Sequence, residues 1–219
     1  MQGTHIMSQG FFITGTDTEI GKTHSAVALI RHWQAQGQRV VAMKPVASGC
    51  EILPDGSWQN DDVTRLVAAT GQQDLDLMNP YRFLPPVSPH IAAREAGVEI
   101  SLEHIVSHYR QLAGQADTVL VEAAGGWLAP LADGVYMEDM ARALQLPVIL
   151  VVGMRLGCIN HALLTVRAIE ASGLTLAGWV ANRVVPQQLA YADNLATLKA
   201  AINVPLLLEL PYEGAPVNG

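Results

Sequence analysis

The sequence predicts an α/β fold, a mostly parallel sheet flanked by helices on both faces. Three observations carry that prediction. Short runs rich in Val, Ile and Leu recur along the 219 residues, and each is apolar on both faces, as strands covered on two sides require. Segments of helical length separate the runs, and helices between strands join parallel neighbours through right-handed crossovers. Half of the chain is apolar and only 15% is charged, which excludes disorder and supplies enough apolar surface for one core.

Residues 11–14 (Phe-Phe-Ile-Thr) form the first strand, and residues 22–36 the first helix, with Ala26, Ile30 and Trp33 recurring on one face. A strand over 39–43 precedes a helix over 61–69. The helix over 102–113 starts behind Ser101, an N-cap residue type, and leads into the apolar strand 118–122. Helix 137–144, strand 147–152, helix 159–171, strand 176–181, helix 188–201 and strand 205–208 complete the alternation. Gly37, Gly71, Gly114 and Gly173 stand where helices should close. Residues 79–90 hold Pro80, Pro85, Pro86 and Pro89, which predicts an ordered loop or a lid. Residues 1–7, with a second Met at Met7, read as a vector-derived leader, leaving 8–219 as a single domain.

Charge narrows the function. Thirteen Lys plus Arg face twenty Asp plus Glu, a net charge of −7 with no basic run, so nucleic acid is a poor partner and any bound anion must be met by a few placed groups. The longest apolar stretch, 146–154, falls far short of the roughly 20 residues that span a bilayer, so no membrane partner is expected. Cys50 and Cys158 are too few for a disulfide framework and fit the reduced thiols of a cytoplasmic protein.

The strongest chemical signal follows the first strand: Gly15-Thr16-Asp17-Thr18-Glu19-Ile20-Gly21-Lys22-Thr23, then the first helix. Strand, glycine-containing loop, Gly-Lys-Thr and helix form the context of a phosphate loop. Its backbone N–H groups and the helix dipole favour phosphate oxygens, Lys22 reaches the β and γ phosphates, and Thr23 reaches Mg²⁺. Thr16 stands where the strict pattern has its first Gly, so the loop is a variant.

Two acids could hold the metal. Glu122 ends an apolar strand and precedes Ala123-Ala124-Gly125-Gly126, at the sheet edge where ligands bind; the bland alternative is a strand-end carboxylate. Asp61 and Asp62 open a helix, where an Asp also serves as a dipole partner without any metal. Lys44, in Lys44-Pro45-Val46-Ala47-Ser48-Gly49, stands at a second strand edge and is one of only three lysines, with Lys22 and Lys199. Placed against the phosphate loop it stabilises charge on a transferring phosphoryl group; otherwise it is a solvated lysine. His104 and His108, four apart but without an intervening Glu motif, read as a solvated helix face.

With these residues in hand, the chain resembles the dethiobiotin synthetase family, a branch of the P-loop NTPase fold. The resemblance runs from about Gly10 to Pro211 and rests on the phosphate loop, Lys44–Gly49, Asn79-Pro80-Tyr81, Ser88-Pro89-His90, Glu122–Trp127, Leu156–His161 and Gly178–Asn182. It implies a homodimeric enzyme that joins CO₂, drawn from bicarbonate, to 7,8-diaminononanoate with ATP and Mg²⁺. Lys22 and Lys44 are the implied catalytic residues, and Thr23, Asp61 and Glu122 the implied Mg²⁺ ligands. ATP is implied to contact Glu19, Ile20, Gly21, Lys22, Thr23, His24, Asp61, Glu122, Ala123, Ala124, Gly125, Asn182, Arg183, Pro211, Tyr212 and Glu213. Thr18 and Ser48 line the implied diamine site, and Gly157, Cys158 and Asn160 take the substrate carboxylate near the dimer interface. The family usually reads Gly at position 123 and a small apolar residue at His24; Asp61 matches the metal acid by distance from Lys44, whereas Asp62 fits the local Asn-x-Asp pattern. A glutamine-dependent amidase of the same branch would need a further domain, and a DNA-coating partition ATPase a lysine early in the loop and a basic face.

Overall fold

The computed structural model describes residues 8–213; the expected leader, residues 1–7, lies outside them. Six strands, β1 (Gln9–Gly15), β2 (Val40–Met43), β3 (Thr118–Glu122), β4 (Val148–Met154), β5 (Leu176–Arg183) and β6 (Leu206–Leu210), form one sheet in the order β6-β5-β4-β1-β3-β2. Every pairing in it is parallel. The helices are α1 (Lys22–Ala35), α2 (Asp61–Thr70), α3 (Leu75–Met78), α4 (Pro89–Ala96), α5 (Leu102–Ala113), α6 (Met137–Leu144), α7 (Cys158–Ala171) and α8 (Tyr191–Ala201).

Side chains that alternate along each strand divide between two cores. On one face Ile13, Ala42, Leu120, Ile149 and Val180 pack under α1 and α2 through Ala26, Ile30, Val63 and Leu66. On the other Phe12, Met43, Val121, Leu150 and Trp179 pack under α5 to α8 through Ile105, Met140, Ala162 and Leu198. β3 and β4 are buried at every residue, which is why they read as apolar runs, whereas the edge strand β6 is only partly buried.

The topology places the site. From β1 the chain crosses to β2 at one edge, returns to β3 beside β1, and then starts β4 on the other side of β1. Connections leaving β1 and β3 therefore diverge at their carboxyl ends and open a crevice there. Register sets Ile13 opposite Glu122 and Gly15 opposite Val151, so the phosphate loop and the Glu122 carboxylate emerge side by side.

Some elements differ from expectation. Residues 79–90 form an ordered connection: Tyr81–Arg82 pairs in parallel with Val46–Ala47, and Pro89 opens α4 at a position where a missing N–H costs nothing. α8 starts at Tyr191, not 188, because Ala190 takes a left-handed conformation, φ 54°. Two short antiparallel pairs, Glu51–Ile52 with Trp58–Gln59 and Pro130–Ala132 with Val135–Tyr136, were not foreseen.

Candidate active site

The loop after β1 ends at Gly21, φ 78°, and α1 begins at Lys22. No side chain caps the first turn of α1 and no acid lies in it, so its free N–H groups and dipole are available to an anion. Gly21 is required twice: its left-handed backbone disfavours other residues, and a Cβ there would collide with Asn182 Nδ2. Gly21→Ala is expected to cost about 1–3 kcal/mol of stability in a denaturant titration; an unchanged midpoint would contradict the packing. The Ile20 side chain is buried against Gly15 and Gly153, where an added Cβ would come within 2.7 Å of it, so that side chain does not line the cleft.

Four groups knot together beside the loop. Lys44 Nζ lies 2.6 Å from Glu122 Oε1 and 2.9 Å from Asp62 Oδ2. Thr23 Oγ1 lies 2.6 Å from Asp62 Oδ1 and 2.7 Å from Glu122 Oε1. A threonine hydroxyl has one proton, so it donates to one of these oxygens and leaves the other facing it without a hydrogen. Glu122 Oε2 is buried with no partner. Three hard oxygen donors thus converge with unmet acceptor capacity, the donor set Mg²⁺ prefers when phosphates complete its shell. Among the described residues no cluster of three His, Cys, Asp or Glu side chains could hold a metal by itself.

The two lysines differ electrically. Burial, and then the charge of Lys44, push the Lys22 pKa down to about 8, and its ammonium donates to the Asp17 carbonyl at 3.0 Å. Burial also works against Lys44, but Glu122 and Asp62 outweigh it and hold that pKa above the ordinary lysine value. Burial opposes the Asp62 charge too, yet Lys44 and the Thr23 hydroxyl bring its pKa below the usual carboxylate range. Lys44 is fixed through its backbone: its N–H donates to the Met78 carbonyl at 3.0 Å, and its carbonyl accepts from Asn79 Nδ2.

These groups floor a cleft of about 670 Å³. Thr18, Glu19, Gly21, Lys22, Thr23, His24, Lys44, Ser48, Glu122, Ala124 and Gly125 line it as expected, and the Ser48 hydroxyl is buried there without a partner. Asp62, the alternative to Asp61, lines it too, and Asn60, Arg65, Ala129 and residues 86–89 do so without having been foreseen as site residues.

Other expected residues lie elsewhere. Asp61 is exposed and lines a neighbouring hollow with Glu51 and Gln59, so the acid on Thr23 and Lys44 is Asp62. The helix phase decides this, since Asn60 caps α2 and the buried Val63 and Leu66 turn Asp62 inward. Ala123 is fully buried, with its N–H bonded to the Ile13 carbonyl at 3.0 Å. Asn182 points inward, donating to the Ile20 carbonyl at 2.8 Å with its Oδ1 unpartnered. Arg183, the next residue on β5, points away: its guanidinium stacks 3.7 Å from the Tyr191 ring and lies 3.8 Å from Glu209. Pro211, Tyr212 and Glu213 do not line the cleft, but Glu213 pairs at 2.9 Å with His24, which does. Gly157, Cys158 and Asn160 stand at the start of α7 outside the cleft, and the Cys158 thiol is packed in the core.

A family model described as an AAA domain matches residues 9–217. The ATP-dependent dethiobiotin synthetase of Aromatoleum aromaticum is 51% identical over 205 residues, which cover 93% of this chain and 91% of that protein. The enzyme of the same name from Escherichia coli K12 is 47% identical over 206 residues, covering 94% and 92%. A ParA family ATPase structure from Chlorobium tepidum superposes with a TM-score of 0.55 at 15% identity, covering 95% of this chain and 85% of that one, a likeness of fold. With such relatives aligned along nearly their whole length, the chain belongs to the dethiobiotin synthetase family.

Proposed function

We propose that the chain converts 7,8-diaminononanoate, CO₂ and ATP into dethiobiotin, ADP and phosphate, the dethiobiotin-forming step of biotin biosynthesis. The observation that carries this reading is the Lys44–Glu122–Asp62–Thr23 knot beside an uncapped helix N-terminus, in a cleft with room for two substrates. It supplies cations and oxygen donors for a phosphoryl group, and no nucleophile of its own is needed.

One substrate amine takes up CO₂ as a carbamate, releasing a proton. A carbamate oxygen then attacks the γ phosphorus, the bond to the ADP oxygen breaks, and a carbamic–phosphoric anhydride forms. The second amine attacks the carbonyl carbon, the ring C–N bond closes, phosphate leaves, and the amine loses its proton. Lys44 and Lys22 offset charge on the carbamate and transferring oxygens. Thr23, Asp62 and Glu122 are the residues that would hold Mg²⁺, with Asp62 in the place first expected for Asp61. When bound, Mg²⁺ neutralises charge on the β and γ phosphates. The unpartnered Ser48 hydroxyl, with Thr18, suits the diamine end.

The carboxylate of the diamine is left for Gly157, Cys158 and Asn160, through the uncapped N-terminus of α7. In this reading a second copy brings that helix to the cleft. The exposure of Leu156 at 94%, of Leu164 on α7, and of Leu189, whose neighbour Gln188 reaches the Cys158 thiol, supports a covered apolar face and hence a homodimer. We place the reaction in the cytoplasm, in keeping with two buried free thiols; among the described residues no helix is long and apolar enough to cross a membrane.

Incubation with the diamine, bicarbonate and Mg-ATP should release ADP in proportion to the diamine, with dethiobiotin identified by mass. ADP release independent of the diamine would overturn the assignment.

A further inference from the structure

The charges in the cleft are unevenly committed. Lys22 and Lys44 face Asp62 and Glu122, so the phosphate floor carries two cations and two anions. Two other basic groups line the same cleft, His24 and Arg65. Both are met by a single carboxylate oxygen from the far end of the described chain: Glu213 Oε2 lies 2.9 Å from His24 Nδ1 and 3.5 Å from Arg65 Nη2.

Geometry says which part of a nucleotide belongs there. Lys22 and Thr23 take the β and γ end at the start of α1, so His24, one residue further along that turn, faces the α phosphate. Arg65 follows Asp62 by three residues on α2, and residues three apart share a helix face. Asp62 reaches into the phosphate floor, and Arg65 extends the same face to the His24 side. The Glu213 side chain is 61% exposed and that of Arg65 47%, and ion pairs this wet are worth at most about 1 kcal/mol. A polyphosphate with several oxygens can displace one carboxylate held so weakly.

We propose that Arg65 is a nucleotide-binding residue directed at the α phosphate, and that Glu213 is a tethered anion that holds Arg65 and His24 in place until nucleotide takes them over. The inference rests on the nucleotide reading of the cleft. Its ligand class is a nucleoside polyphosphate, recognised by charge and not by its base. Glu213 thereby weakens nucleotide binding, because each binding event must release it.

Dissociation constants for Mg-ATP and for adenosine, measured by calorimetry on the full chain, test this. Arg65→Ala should weaken Mg-ATP about tenfold and raise its KM more than it lowers kcat, while adenosine changes less than twofold. Arg65→Lys should recover part of the loss. Glu213→Gln should tighten Mg-ATP about threefold and leave adenosine unaffected. A Glu213→Gln variant that binds Mg-ATP more weakly would overturn the proposal. So would an Arg65→Ala variant that binds it normally, or one that loses adenosine to the same degree. Lys22→Ala separates the two readings: if wild type binds Mg-ATP and this variant does not, the nucleotide site stands whatever Arg65 does; a wild type that binds none sinks both.

Discussion

Lys44→Met is expected to destabilise the fold by about 3–5 kcal/mol and to reduce diamine-dependent ADP release by roughly a thousandfold. The stability loss follows from what remains. Glu122 is 1% exposed, its Oε2 already lacks a partner, and Lys44 is the only full positive charge hydrogen-bonded to its other oxygen among the described residues. Without Lys44 a buried carboxylate stands against the Thr23 hydroxyl and a second carboxylate, Asp62. In a chain of this size the melting temperature should fall by roughly 10 °C. The double variant Lys44→Met, Glu122→Gln removes the orphaned charge and should regain most of the stability but none of the activity. A single variant that melts with wild type would show that the pair is not the electrostatic centre of the site.

Lys22→Met should do the opposite to stability while abolishing nucleotide binding. The Lys22 pKa stands at about 8 against 10.5 in an unstructured chain, chiefly from burial. At about 1.4 kcal/mol per unit the charged side chain destabilises the fold by roughly 3 kcal/mol near neutrality. Losing its bond to the Asp17 carbonyl returns about 1 kcal/mol, so methionine should gain about 2 kcal/mol at pH 7. The sign also sets a pH window. Between pH 8 and 10.5 the unfolded chain keeps the proton that the folded chain has released, so wild-type stability rises with pH through that interval. The advantage of the variant should therefore be full at pH 7 and nearly gone by pH 10.5, as denaturant titrations at both values will reveal. An equal gain at both would mean that burial of the ammonium is not what depresses its pKa. Two lysines in one cleft thus report opposite costs: one has its counter-charges built in, and the other awaits them from a ligand.

The sheet was legible because its central strands, dry on both faces, read as apolar runs, and because Gly15 to Thr23 joins strand to helix in a spacing with a chemical meaning. Two-residue strands and the four-residue α3 are too short for any period to show and arise from tertiary pairing alone. Asp61 and Asp62 could not be separated by distance from Lys44, since a loop of many residues absorbs a shift of one. The phase of α2 separates them, and Asn60, Val63 and Leu66 were the signal for it. Arg183 was misplaced for a related reason. Successive strand residues point to opposite faces, so an inward Asn182 sends Arg183 outward to Tyr191. Arg65 and Glu213 are near the same site from residues 148 positions apart, and no local pattern announces such a meeting.

The strand order also bears on how the chain is made. β1 pairs only with β3 and β4, whose residues begin at 118 and 148, more than a hundred positions downstream. On a ribosome adding about 5–20 residues each second, the Phe-Phe-Ile run of β1 waits several seconds or more without either neighbour. Long-range parallel pairing of this kind is slow and leaves apolar strands open to wrong partners meanwhile. The nascent chain therefore depends on early shielding of its first strand, and nucleotide can help only after most of the protein has emerged.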